Sequence, residues 1–268
     1  MNSAGDDFEH KLERLRGGLR ELESLAVAYS GGVDSGVLLH AARAALGPRA
    51  QALIADSPSL ARSELSDALA FARSIGVEPV VLSTDELDDP RYQANAGDRC
   101  YYCKRSLFDA MAIWAREHGV RRLAFGEIVD DWSDQRPGAR AAREFDVVAP
   151  LSAAGMGKQD VRRYAREHAL ALAEKPASAC LASRVPVGVR VTRERLARIE
   201  RAEARVKSLG LLVVRVRDHG ERARLEVGAE ELGFARENER ELAAALACEG
   251  FEAVDLAAYV PPASRSRA

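Results

Sequence analysis

The chain has 268 residues, enough for one large or two modest domains. Its 39 basic and 41 acidic side chains leave a formal charge of −2, which argues against a broad nucleic-acid-binding surface. No apolar run approaches the roughly 20 residues of a membrane span, the polar N-terminus "MNSAGDDFEHKLERLR" lacks a signal-peptide core, and four cysteines do not make a disulfide framework; these features describe a cytosolic protein with no membrane partner.

An amphipathic pattern predicts a helix over 8–22. "SLAVAYS" (24–30) is a short apolar run ended by a glycine pair, which predicts a buried strand. A helix follows over 34–46, a strand over 51–56, and a helix over 61–76 that stops at Gly76. Strands are predicted over 79–84, 121–126 and 146–151, with a helix over 104–119 that also ends at glycine. This alternation specifies an α/β fold, a doubly wound parallel sheet with helices on both faces, assigned here to 1–186. Beyond about residue 187 the rhythm changes to a charged helix (192–208), strands over 211–217 and 222–227, a helix over 235–247 and a last element over 251–256. That order describes a smaller α+β domain over 187–260, followed by a disordered tail over 261–268.

The stretch "AVAYSGGVDSGVLLH" (26–40) places a glycine pair between a strand and a helix. Free backbone N–H groups at a helix N-terminus bind anions, and Gly31 and Gly32 let a phosphate approach while Ser30 and Ser35 add hydroxyls. Asp34 beside a phosphate is repulsive unless a cation intervenes, so Mg²⁺ bridging Asp34 and phosphates is expected. There is no Gly-Lys-Ser/Thr and no GxGxxG, which sets aside Walker A and dinucleotide loops. A tight turn that merely packs helix on sheet is the plain alternative. Asp56, at the end of the second strand, is placed to hold a ribose or adenine edge, or to serve as a turn or capping residue. Gly126, ending the fourth strand, leaves room for a nucleotide, and Asp130 and Asp131 follow as metal-binding or loop-holding residues.

Cys100 and Cys103 form a CxxC at the start of a helix, where the dipole favours thiolates. Cys180 lies in the loop-like "ASACLASR", and Cys248 in an alanine-rich helix reads as a small core or surface residue. A CxxC plus one remote cysteine is compatible with a redox pair, with zinc completed by a histidine or Cys248, or with an iron–sulfur cluster that leaves one iron open.

The hexapeptide SGGVDS resembles the pyrophosphate loop (PP-loop) of ATP pyrophosphatases, whose fold is adenine nucleotide alpha hydrolase-like. Together with "ADSPSLARSEL", "DRCYYCKRSLF", "DDWSDQRPGARAARE", "PLSAAGMGKQDVRRYA", "KPASACLASRVP" and "RVRDHGERARLEV", it makes nearly the whole chain similar to LarE-type ATP-dependent sulfur transferases. Those enzymes help build the nickel-pincer nucleotide cofactor of lactate racemase. The resemblance implies that ATP adenylates a carboxylate of a pyridinium-3,5-dicarboxylate mononucleotide, and that sulfur then displaces AMP to give a thiocarboxylate. In one branch of the family a single cysteine, matching Cys180, gives up its own sulfur. In the other, three cysteines hold a 4Fe–4S cluster that presents an extra sulfide, and Cys100, Cys103 and Cys180 place this chain there. A phosphorylated substrate implies a second anion site: Arg215 and Arg217, two apart on one strand face with Leu212, Val214 and Val216 on the other, are its candidates, with Arg184. Glu203 is a further metal candidate, and a homo-oligomer (dimer or hexamer) is implied. An amidating enzyme would share the loop but not the CxxC. A tRNA-thiolating enzyme would share both but need a basic surface, and a nucleotide-sensing or cluster-storing protein would share the fold without turnover.

Overall fold

A computed structural model describes residues 3–133, 137–176 and 179–260. Two compact units form, one from residues 3–92 with 98–176, the other from 93–97 with 179–260. The division thus falls ahead of Cys180, and a five-residue segment of the first half groups with the second unit. The cause is Asn95, buried and with φ of 51°, whose side-chain amide donates to the carbonyls of Pro186 at 2.7 Å and Val189 at 3.1 Å.

In the first unit, Leu25, Val27 and Tyr29 alternate with Ala26 and Ala28, and both sets are buried. A strand covered on both faces belongs in the middle of a parallel sheet. Accordingly β1 (Leu25–Ala28) pairs in parallel with β2 (Ala50–Asp56) on one side and β4 (Arg122–Phe125) on the other, and β3 (Val80–Ser83) extends the sheet beyond β2. The odd-numbered set of β1 packs under α1 (Ser3–Glu21), α2 (Val33–Leu46) and α8 (Lys158–Glu167). The alanine set packs under α5 (Arg99–Glu117) and α6 (Pro137–Glu144), so the sheet is doubly wound. Along the first helix, Phe8, Leu12, Leu15 and Leu19 make the buried stripe. The remaining helices of this unit are α3 (Arg62–Ser74) and the short α4 (Pro90–Ala94) and α7 (Pro150–Ala153).

The fifth strand expected over 146–151 is reduced to a single bridge, Ala124 with Val148. It is bounded by Asp146, at φ of 50°, and by Pro150, which has no N–H to continue a ladder and instead opens α7. The helix expected from residue 104 starts at Arg99, so Cys100 and Cys103 lie inside its first turns rather than ahead of it. The sequence reading missed α8, although Val161, Tyr164 and Ala165 recur at helical spacing and are its buried residues.

In the second unit, α9 (Arg193–Ser208) precedes an antiparallel pair, β5 (Val214–His219) and β6 (Arg222–Val227), and β7 (Ala253–Ala258) joins β6 in parallel. The expected helix over 235–247 is two, α10 (Leu232–Glu237) and α11 (Glu239–Ala247). They break at Asn238, whose amide donates to Phe234 O at 2.8 Å in competition with the helix. Val214 and Val216 enter the core as expected. Leu212 does not: it is 83% exposed, and the N–H groups of Leu212 and Val213 donate to Glu231, so the strand begins only at Val214. The tail over 261–268 lies outside the described residues. Among the described residues no helix is long and apolar enough to cross a membrane.

Candidate functional site

The strand order β3-β2-β1-β4 means that the chain leaves β1 toward β2 and later returns to its other side. Ligands of open α/β sheets bind beyond the strand ends at such a reversal. There, residues 29–32 turn from β1 into α2, and a cavity of about 210 Å³ opens between this turn and the end of β4. Ser30, Gly32, Asp34, Lys104, Gly126 and Asp131 are among its lining residues. The volume is below the roughly 300–1,000 Å³ of whole-ligand pockets, and suits a phosphate group rather than an entire nucleotide.

Two glycines shape the turn. Gly31 has φ of +73°, and a Cβ there would lie 2.7 Å from the Cβ of Ala68. A Cβ on Gly126 would lie 2.7 Å from the backbone N of Ser35, so this glycine lets the end of β4 approach the first turn of α2. Ser35 Oγ donates to Gly32 O at 3.2 Å and accepts from Ser30 N at 3.2 Å, bracing the turn. No side chain caps the N-terminus of α2. Its orphan N–H groups and dipole therefore offer themselves to an anion.

Three lysines that sequence reasoning missed gather on the turn. Lys104 lines the cavity. Lys175 Nζ donates to Gly31 O at 3.1 Å and pairs with Glu64 at 2.7 Å. Lys158, the first residue of α8, places Nζ 2.9 Å from both oxygens of Asp34. With side chains 42% and 28% exposed, this pair contributes no more than about 0.2–1 kcal/mol. Asp130 accepts from Lys158 N at 2.7 Å, and Asp131 accepts from Ile128 N at 3.2 Å, so both hold backbone. Asp56 is engaged by Arg62, which also clamps the carbonyls of Ser57 and Leu60.

A larger cavity of about 630 Å³ opens past β3, but five carboxylates, among them Glu86 and Asp109, face only Arg91 and Arg105 there. That balance repels phosphates, which leaves the loop cavity as the candidate phosphate site.

In the first unit, Cys100 and Cys103 are three apart on α5. In the second, Cys180 is exposed just before a 3₁₀ turn, Leu181–Arg184. That turn is anchored by Arg184, which forms a bidentate pair with Glu203 (2.8 and 3.2 Å) and donates to Cys180 O at 2.9 Å. Both side chains are buried, at 3% and 7% exposure. Glu203 Oε1 also accepts from Val216 N at 3.0 Å, so the structure commits both of its oxygens to protein donors. Arg217 pairs with Glu226 at 2.8 Å and donates to Ser183 O at 2.7 Å. Arg215 is buried, donates to Val214 O at 2.8 Å and lies over the Tyr259 ring. Removing one partner of a buried pair leaves the other charge uncompensated. Glu203→Ala is therefore expected to destabilise the second unit by about 3–5 kcal/mol in denaturant unfolding, against under 1 kcal/mol for the exposed-pair variant Asp255→Ala.

None of the four cysteines is in a disulfide. Within either unit, among the described residues, no group of three or more His, Cys, Asp or Glu side chains gathers to hold a metal ion. A single carboxylate such as Asp34 fits Mg²⁺, which takes one or two carboxylates plus phosphate oxygens and water. Thiols on the first turns of a helix fit iron–sulfur ligation.

A four-stranded all-parallel sheet, with SGGVDS turning from its inner first strand into an uncapped helix at the point of reversal, defines a PP-loop-like α/β fold. No family model matches the chain. It is 33% identical over 224 residues, 83% of this chain and 81% of the relative, to the pyridinium-3,5-bisthiocarboxylic acid mononucleotide synthase of Lactiplantibacillus plantarum. The chain belongs to the LarE-type family of that synthase. An uncharacterized protein of Synechocystis sp. is 41% identical over 225 residues, 84% of each chain. Another, from Methanocaldococcus jannaschii, is 27% identical over 226 residues, 82% of this chain and 85% of that one.

Proposed function

We propose that the chain is an ATP-dependent sulfur transferase. It adenylates a carboxylate of a pyridinium-3,5-dicarboxylate mononucleotide and converts it to a thiocarboxylate, in biosynthesis of a nickel-pincer nucleotide. The observation that carries this reading is the uncapped N-terminus of α2, beside a cavity that Lys104 lines at the sheet's point of reversal, in a chain of this family. Activation comes first, because oxide is too poor a leaving group for sulfur to displace from a carboxylate.

In the first step a substrate carboxylate oxygen attacks the α-phosphorus of ATP. The bond from that phosphorus to the bridging oxygen breaks, and its electron pair departs with pyrophosphate. In this reading the backbone N–H groups of the turn at 30–35 take up the departing charge. Asp34 would hold Mg²⁺, which supplies positive charge to the pyrophosphate when bound. In the second step sulfur attacks the acyl carbon, the carbon–oxygen bond to the adenylate breaks, and AMP leaves. Cys100, Cys103 and Cys180 would hold a 4Fe–4S cluster, which when bound supplies an iron with an open position for exogenous sulfide. Arg184 and Glu203 have the part of fixing the backbone of the Cys180 turn. The working protein in this reading is a homo-oligomer, a dimer or a hexamer.

Pyrophosphate release from ATP, measured with and without the dicarboxylate mononucleotide, tests the reading. Release that depends on that substrate is the expected result. Release supported only by another carboxylate, or by ammonia with formation of an amide, would assign a different PP-loop chemistry. Arg215 and Arg217 are the candidates for the substrate's own phosphate, a role in which Arg217 would exchange Glu226 for phosphate oxygens. Replacing both with alanine is expected to raise KM for the mononucleotide by about tenfold or more, and KM for ATP less. The opposite order would place this strand face elsewhere in the mechanism.

A further inference from the structure

The acidic cavity past β3 takes part in no step of the chemistry above. One of its walls is the run from Asp85 to Arg91, which includes a 3₁₀ turn over Glu86–Asp88. The other is α5, where Tyr102, Arg105, Ser106 and Asp109 recur at three- and four-residue spacing and so share one helix face. The cavity has no lining residue in common with the loop cavity, although α5 serves both and gives Lys104 to the other. Five carboxylates line it against two guanidinium groups, a formal excess of three negative charges. Asp89 is engaged by Arg91, which meets its two oxygens at 3.0 and 2.7 Å, and Asp85 accepts from Ser106 Oγ at 2.7 Å. Glu86 is the residue that points to a ligand. It is 2% exposed, its Oε1 accepts from Ser57 Oγ, and its Oε2 is buried with no hydrogen-bond partner among the described residues. An ionised carboxylate only accepts, so what Oε2 lacks is a donor, and burying such a charge half-satisfied is costly. Glu86 forms part of the wall, so the cavity is a side from which that donor can come.

We propose that this cavity binds an aliphatic polyamine, a linear cation with two or three ammonium groups, which Glu86 and Asp109 hold from its two walls. The volume of about 630 Å³ lies within the roughly 300–1,000 Å³ of small-molecule pockets. The carboxylates stand on two walls, and among the described residues no three of them gather to hold a metal ion. Charge distributed in this way suits a cation whose own charges are spread along a chain. Glu86 keeps Ser57 on one oxygen and turns the other outward to the first ammonium. Asp109, exposed on α5, takes the second. The methylene stem lies along Tyr102 and Phe145, whose rings supply apolar surface. Arg91 already shows the pattern inside the protein, because its guanidinium sits 4.8 Å from the centre of the Tyr102 ring while Asp89 grips it. The proposal stands apart from the adenylation reading, since it uses none of that site's residues.

Calorimetry with spermidine tests this. Spermidine should bind saturably at one site per chain, and putrescine, with one ammonium fewer, more weakly. Asp109→Asn should weaken spermidine by about tenfold or more, the equivalent of one charge-assisted hydrogen bond, and the exposed position lets the variant keep its fold. Glu86→Gln should weaken it at least as much, while removing a buried charge and so sparing the fold. Asp255→Asn, an exposed carboxylate of the second unit, should leave the affinity unchanged. Spermidine binding that neither cavity variant weakens, or that Asp255→Asn weakens equally, is diffuse attraction to an acidic surface and overturns the proposal. Preference for Mg²⁺ over spermidine overturns it in favour of a metal site, and preference for tetralysine in favour of a peptide-docking surface. Absence of saturable spermidine binding overturns it outright, and mononucleotide-dependent pyrophosphate release by the same protein would then still stand.

Discussion

Protein isolated without oxygen and supplied with iron and sulfide is expected to be brown, and Cys100→Ser, Cys103→Ser or Cys180→Ser should each abolish both the colour and sulfur transfer. The expectation follows from ligand number. Three thiolates leave one of four irons without a protein ligand, and losing any of the three removes a ligand the cluster cannot spare. Cys100 and Cys103, three apart on α5, lie on one side of that helix and are spaced to share a cluster. Cys248 follows α11 in the second unit and is exposed, and Cys248→Ser should change neither colour nor transfer. Iron and sulfide analysis together with intact mass decides between the two sulfur sources. A cluster-bearing protein should turn over repeatedly with added sulfide and keep its mass. A colourless anaerobic protein that turns over once and loses the mass of H₂S at Cys180 would refute the cluster reading. It would establish donation of the Cys180 sulfur itself, with Cys100 and Cys103 left a structural or redox part.

Asp34→Asn should leave the fold intact and slow substrate-dependent pyrophosphate release by about 10²–10³-fold, the usual loss on removing one preorganised electrostatic contact. The fold should survive because the Asp34–Lys158 pair is half-exposed, while the buried side chains of α2, such as Val37, Leu38 and Leu39, are untouched. The amide keeps the shape and one acceptor oxygen but loses the charge that would face Mg²⁺. Added metal should consequently restore part of the rate, and the metal concentration for half-maximal rate should rise. Wild-type turnover by this variant removes Asp34 from the site.

The local signals in this chain were strong where one residue type had one physical reason. Gly31 announces a backbone turn because only glycine takes its φ of +73° cheaply, and the structure adds that Ala68 leaves no room for a Cβ. The alternating apolar sets of 25–29 and the helical stripe of α1 were likewise readable, since period alone identifies the buried faces. Signals failed where two tendencies compete. "DVVAPL" has the composition of a strand, but Asp146 at positive φ and Pro150 leave room for only one bridge. Leu212 is apolar enough for the core, yet Glu231 captures the N–H groups of residues 212 and 213 and keeps it outside.

What the sequence determined by itself is the alternating α/β order, the glycine turn between the first strand and helix, and the CxxC pair, because each is written in neighbouring residues. What only the tertiary structure decided is who meets whom across long separations. Lys158 lies 124 positions from Asp34, and Lys175 lies 144 from Gly31. No spacing rule links such residues, and an ordinary lysine in a charged helix carries no mark of its partner. The same holds for Arg184 and Glu203, which the sequence offered as separate candidates for phosphate and metal. Packing α9 against the turn after Cys180 buries them together, and two opposite charges taken out of water must satisfy each other before either can serve a ligand.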